Sequence, residues 1–170
     1  MITPVFFKFD CLSDARGWFA KPFPLAPLIN EQFSLVTGAD LEVYFSYSQA
    51  GVIRGMHAQL PPSDHDKVVF VLSGEIIDVV LDLKSFSYKT QSESLGMDNR
   101  FNAVFVPKGF AHGFHVISES ALVGYIVNSL HDPDREIAIR YDSFGFDWNC
   151  NDPILSERDN AGILYEDYFL

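Results

Sequence analysis

Between Lys67 and Leu83 the sequence reads KVVFVLSGEIIDVVLDL, two β-branched runs with only Ser73-Gly74 between them. Val and Ile are stiff at the first side-chain torsion and pack well on a pleated surface, and a two-residue connection containing Gly closes an antiparallel pair. The segment therefore predicts a β-hairpin. In its second arm Ile77, Val79, Leu81 and Leu83 share one face and Asp78 and Asp82 the other, the period of a half-buried strand. Short apolar runs between turn signals continue through 40–142 and predict further strands at 42–48, 52–59, 103–106, 111–117, 121–128 and 136–141. Helical signal is confined to the ends. Ser156-Glu157-Arg158-Asp159 followed by Ala161, Ile163 and Leu164 predicts a short capped C-terminal helix, and Leu25–Phe33, after Pro24 or Pro27, predicts a second. The pattern implies an all-β jelly roll, a sandwich or barrel with a short cap at each end. Residues 1–170 contain no linker, repeat or low-complexity stretch and are expected to form one domain.

Charge narrows the partners. With 12 Lys+Arg against 23 Asp+Glu the chain carries a net charge of −11, which argues against nucleic acid and against an anionic membrane surface. An anionic ligand must then meet a local cluster of bases. Cys11 and Cys150 have no metal-ligand spacing and no disulfide framework around them, which suggests reduced thiols. Lys8 and Asp10 interrupt the apolar start of the chain before it reaches the length of a signal or membrane segment, so a cytoplasmic location is expected.

The stretch RGMHAQLPPSDHDKVVF sets Arg54, His57 and Lys67 around a Pro-Pro turn. In a regular strand His57 and Gln59 point to one face and Arg54 to the other, unless Gly55 introduces a bulge that re-aims the chain. In PKGFAHGFHVISE, His112, Phe114 and Val116 share a face, so His112 can look into the same barrel as His57. Two inward histidines raise the question of a metal. A metal-binding cupin presents His-x-His and then a carboxylate, whereas here Gln59 takes the second place and Asp64 is the one acid at hand. An amide oxygen is a poor ligand for a transition metal, so no metal is expected.

Taken together, RGMHAQ, KVVFVLSGEIIDVVLDL, VPKGFAHGFHVISE, REIAIRYD and LSERD stand in the order and spacing of one family. The sequence resembles the dTDP-4-dehydrorhamnose 3,5-epimerases, the RmlC-like branch of metal-free cupins, from Asp14-Ala15-Arg16-Gly17 to Asp159. The resemblance implies a cofactor-free epimerase of nucleotide-diphosphate 4-keto-deoxysugars, built as a homodimer. It implies His57 as the base, Asp159 as the carboxylate that orients its imidazole, Lys67 as the cation facing the enolate and Tyr125 as the acid across the sugar. Arg54 would hold the diphosphate, and His112, Gln59 and Glu136 would line the sugar and nucleotide site. Arg16 and Phe19, in the DARGWF stretch, would come from the other subunit as phosphate and base contacts, and Lys21 just after it would stand beside the pocket of the nucleotide base. Each has a plainer reading: Asp159 completing a capping box, Lys67 protecting a strand edge, Tyr125 filling the core.

The sequence also departs from the family's pattern. Glu42-Val43-Tyr44 stands where Gln-Asp-Asn is usual, Lys21 where Glu is common, Ala58 where an aromatic is typical, and Leu130-His131 where Tyr pairs occur. The base and its carboxylate are kept while the ligand's surroundings are altered, so a sugar other than the family's ordinary dTDP-4-keto-6-deoxyglucose is expected. The competing classes are a non-catalytic nucleotide-sugar-binding cupin and a metal-dependent cupin oxygenase or isomerase.

Overall fold

The computed structural model describes residues 3–22 and 41–170, and the helix expected at Leu25–Phe33 lies outside the described residues. In chain order the strands are β1 (Val5–Phe7), β2 (Cys11–Asp14), β3 (Gly17–Ala20), β4 (Glu42–Gln49), β5 (Ile53–Gln59), β6 (Lys67–Ser73), β7 (Glu75–Asp82), β8 (Thr90–Gly96), β9 (Ala103–Val106), β10 (Phe110–Val116), β11 (Ser120–Val127) and β12 (Glu136–Ala138). They form two five-stranded antiparallel sheets, ordered β1-β9-β6-β11-β4 and β12-β5-β10-β7-β8, and a separate β2-β3 hairpin. The hairpin predicted around Ser73-Gly74 becomes a crossover instead: β6 lies in the first sheet and β7 in the second. Helix α1 (Glu157–Asn160) and a 3-10 turn (Glu166–Phe169) close the chain. The sandwich with short flanking helical turns agrees with the expected jelly roll, but α1 and β12 are shorter than the sequence suggested.

Three apolar layers explain the strand chemistry. Val69 and Val71 of β6, Ile76 and Val80 of β7, Phe114 of β10 and Val123 of β11 meet between the sheets. On the outside of the first sheet Val68, Phe70 and Phe105 pack with Phe9. On the outside of the second, Ile53, Val79 and Leu81 are covered by Phe144, Trp148 and Tyr165 from the C-terminal segment. Each fully buried aliphatic or aromatic side chain contributes about 1.5–3 kcal/mol, so these layers dominate stability.

That third layer corrects the reading of β7 as half-buried. Asp78 is fully buried, and both faces of the strand are covered. Alternation of Asp with Val implied solvent on one side. The actual environment of Asp78 is the interior of the sandwich, where His112 partners it. Strand β8, TQSESLG, was not expected because its polar side chains stay largely exposed at a sheet edge and give no apolar period.

The bulge considered at Gly55 is present. On β10, His112 pairs with His57 and Phe114 with Arg54, so three steps on β5 match two on β10. The shift returns Arg54 to the face of His57. Gly55 has φ +111°, and a Cβ there would stand 2.7 Å from the Cα of Gly113 and 2.7 Å from the carbonyl oxygen of His112. Only a glycine fits both the dihedral and the approach. Gly55→Ala is expected to lower unfolding free energy by about 2–4 kcal/mol, the sum of a strained dihedral and an overpacked contact. Urea unfolding measures it; a loss below about 0.5 kcal/mol would contradict the bulge geometry.

Candidate active site

The two sheets splay at one end around a cavity of about 390 Å³. Its wall is inward-facing by strand alternation: Glu42, Tyr44 and Ser46 from β4, Lys67 from β6 and Tyr125 from β11 on one sheet. His57 and Arg54 from β5, His112 from β10 and Glu136 from β12 stand on the other, with Arg158 of α1 at the rim. Base and phenol candidates thus belong to opposing sheets.

His57 Nε2 hydrogen-bonds to Asp159 Oδ1, a buried carboxylate. The capping alternative for Asp159 is also realised, because its backbone N–H donates to the Ser156 Oγ at 3.1 Å. One residue serves both, the main chain ending the helix and the side chain holding the imidazole. Burial holds the imidazole below its ordinary value; Asp159 opposes this, and the Arg158 and Lys67 cations reinforce it. Burial works against charge on Asp159 too, but the bonds to His57 and Ser156 and the Arg158 cation leave its carboxyl below the usual range. The pair therefore sits as neutral imidazole and carboxylate at neutral pH.

Across the cavity the Tyr125 hydroxyl lies 3.1 Å from Ser46 Oγ, and its ring stacks on Tyr44 at 4.6 Å with an interplanar angle of 13°. Burial pushes the Tyr125 phenol well up, and Tyr44 is pushed up to about 12 by burial and then by Glu42 and Glu136. Both stay protonated donors. His112 Nε2 bonds to Asp78 Oδ2 at 2.7 Å, and the second oxygen of Asp78 has no hydrogen-bond partner among the described residues. Arg54 donates through Nε to Ser48 Oγ at 2.8 Å, which aims its guanidinium at the cavity mouth. Gln59 accepts from the Asp132 N–H at 3.0 Å, leaving its amide N–H₂ to donate.

The structure gathers His57, Asp159, Tyr125, Lys67, Arg54, Gln59, His112 and Glu136 at this cavity. It does not bring Arg16, Phe19 or Lys21 there. They sit on or beside the β2-β3 hairpin, where Arg16 bonds to Asp14, Phe19 is 57% exposed and the Lys21 ammonium is 5.5 Å from the Phe19 ring centre. Asp64, the acid weighed for a metal, pairs with Lys108 at 3.8 Å and is absent from the wall. Among the described residues no group of three or more His, Cys, Asp or Glu is arranged to hold a metal ion, and no helix is long and apolar enough to cross a membrane.

Sequence reasoning missed Asp78 and Arg158. A lone acid inside the apolar run IIDVV was the available signal for the first. For the second it was adjacency to Asp159 in LSERD. Arg158 contacts His57 and donates to Glu136 Oε2 at 2.5 Å, while Glu136 also meets His131 at 3.1 Å.

Residues 3–167 match the family model described as dTDP-4-dehydrorhamnose 3,5-epimerase. A curated relative of that name from Shigella flexneri is 31% identical over 174 residues, covering 96% of this chain and 93% of its own. One from Methanothermobacter thermautotrophicus is 36% identical over 163 residues, covering 88% and 83%. Among solved structures, a dTDP-6-deoxy-D-glucose-3,5-epimerase from Legionella pneumophila in complex with dTDP-4-keto-L-rhamnose superposes with a TM-score of 0.79 at 28% identity, covering 96% and 93%.

The electrostatics of the cavity turn on Lys67. Among the described residues its ammonium has no carboxylate within salt-bridge distance, and burial pushes it down to about 8, with Glu136 and Asp78 opposing. Below about pH 8 folded and unfolded chains both hold this proton and folding bears the full cost of the buried cation; from about 8 to 10.5 only the unfolded chain holds it, so the group's contribution to stability rises with pH. Lys67→Met is therefore expected to be at least as stable as the parent at neutral pH, with the difference narrowing across that window. Urea midpoints at neutral and alkaline pH test this; a variant less stable by more than about 1 kcal/mol would show that Lys67 is paired.

Proposed function

Because the chain belongs to the dTDP-4-dehydrorhamnose 3,5-epimerase family, we propose that it inverts C3, C5 or both in a nucleotide-diphosphate 4-keto-deoxysugar, in deoxysugar biosynthesis and without a cofactor. The observation that carries this reading is the placement of a carboxylate-held neutral imidazole and a protonated phenol on opposing sheets, with the buried Lys67 ammonium, unpaired among the described residues, in the same cavity wall. A ketone at C4 acidifies the hydrogens on its neighbours. His57 removes one as a proton, and the electron pair moves onto the ketone oxygen as an enolate, which the Lys67 ammonium stabilises. Tyr125 then donates its phenolic proton to carbon from the other face, and the proton held by His57 returns through solvent to the phenolate. Epimerisation leaves the oxidation state unchanged, so the balance needs no redox partner.

Arg54 is assigned to the diphosphate, for which a planar permanent cation suits two oxygens at once. His112, Gln59 and Glu136 are assigned to the sugar. The cavity lies at the low end of ligand-site volumes, so the nucleoside extends outside it. There the hairpin of a second copy would supply Arg16, Phe19 and Lys21, which makes the working unit a homodimer. Free Cys11 and Cys150 accord with a cytoplasmic setting. Lys67 also favours catalysis over a binding-only cupin, because a neutral sugar ring gives a desolvated ammonium nothing to neutralise.

Four departures from the family's pattern, Glu42, Tyr44, Ala58 and His131, line the cavity, whereas Lys21 does not. A site built for one donor and acceptor pattern rejects a ligand that leaves its buried groups unpaired. We therefore assign a substrate whose sugar or linkage differs from dTDP-4-keto-6-deoxyglucose. Incubation with thymidine-, uridine-, cytidine- and guanosine-diphosphate 4-keto-6-deoxy sugars, read by NMR for configuration at C3 and C5, is expected to show inversion in one series. No inversion in any would remove the enzymatic reading, and full double inversion of the thymidine compound above all others would remove the altered specificity. On the accepted sugar His57→Ala should lose about 10²–10⁴-fold in kcat/KM. Lys67→Met should lose about 10²–10³-fold in kcat despite its retained stability; near-parental turnover in either variant would contradict its role.

A further inference from the structure

Asp159 is only one of two charged side chains that α1 sets against the base. The guanidinium of Arg158 lies along the nitrogen edge of the His57 ring, with Nη2 at 2.8 Å from Nε2 and 3.3 Å from Nδ1. Asp159 accepts the proton of Nε2, which leaves the lone pair on Nδ1; the nearer approach of the guanidinium is to the protonated Nε2, so it acts on the ring through its positive charge and not as a donor to that lone pair. That lone pair is the one that must take the sugar's proton. Glu136, held by His131, anchors Nη1 of the same guanidinium and keeps it from swinging into solvent.

We propose that Arg158 is a positioning residue for the base: its guanidinium holds His57 neutral, with the proton on Nε2 and the lone pair on Nδ1 turned into the cavity. The inference rests on the epimerase reading for its purpose, though not for its test. A carboxylate bonded to an imidazole favours the imidazolium, and a base that is already protonated cannot act. Asp159 alone would thus orient His57 and disarm it together. The opposing groups around the ring are Lys67 of β6 and Arg158; His112 of β10 is already bonded to Asp78, Glu136 of β12 is engaged by Arg158, and Tyr125 of β11 is a neutral phenol. Lys67 begins to lose its charge near pH 8, whereas a guanidinium does not titrate in the working range. Burial does most to keep the imidazole neutral, and the permanent share of the charge that opposes Asp159 is Arg158's.

The test is a long-range ¹H–¹⁵N NMR titration of His57 in the ligand-free protein, parent against Arg158→Gln and Arg158→Lys. Arg158→Gln is expected to raise the His57 midpoint by roughly one pH unit and Arg158→Lys by less, because the charge stays while the planar fork is lost. The acid limb of kcat/KM should move up with the midpoint. A His57 midpoint unchanged within about 0.2 units in Arg158→Gln, with a higher KM as the one kinetic change, would overturn the proposal and leave Arg158 a ligand contact. If Arg158→Gln fails to fold, an Arg158→Met midpoint equal to the parent's, with unchanged ring tautomer and pH profile, overturns it as well. Should the midpoint move while no sugar is inverted, the positioning stands and the epimerase reading falls.

Discussion

The site depends on the Lys67 ammonium, which among the described residues has no paired carboxylate, in a desolvated wall. An ion pair for Lys67 would settle its charge and remove its use, since an enolate oxygen would then compete with a resident anion. The carboxylates close enough to matter are otherwise engaged: Asp78 with His112, Asp159 with His57, Glu136 with Arg158. The cost of a buried cation falls on folding, and the apolar layers between and outside the sheets offset it.

Two sheets are what make inversion feasible. A proton must leave from one face of a carbon and return to the other, and groups on a single sheet would approach from the same side. Here His57 belongs to β5 of one sheet and Tyr125 to β11 of the other, and the sugar space lies between them. The bulge at Gly55 adds Arg54 to the face of His57. Without the extra residue the diphosphate cation would point out of the sandwich, away from the ligand it is assigned.

Much of this was legible in the sequence because β-strand alternation and turn chemistry are local. The strands from Glu42 to Val127, except the polar edge strand β8, followed from short β-branched runs. Whether β6 and β7 pair or cross between sheets was not legible, since a two-residue link permits either. The burial of Asp78 was hidden for a similar reason: its cover depends on the opposing sheet and on His112, which is distant in sequence. The site's composition came through the family resemblance, whereas the contact of Arg158 with His57 depends on how one turn of helix docks against β5, which no spacing rule reports.

The proposed inversion rests on two-faced proton transfer between His57 and Tyr125. Solvent-deuterium incorporation at C3 and C5 of the accepted nucleotide 4-keto sugar, parent against Tyr125→Phe, with configuration read in the same NMR spectra, measures that transfer. The parent is expected to invert and deuterate the carbon together, while Tyr125→Phe still washes deuterium in from the base's face and leaves the configuration unchanged. Equal loss of exchange and inversion in Tyr125→Phe, or inversion at the parent's rate, would contradict it.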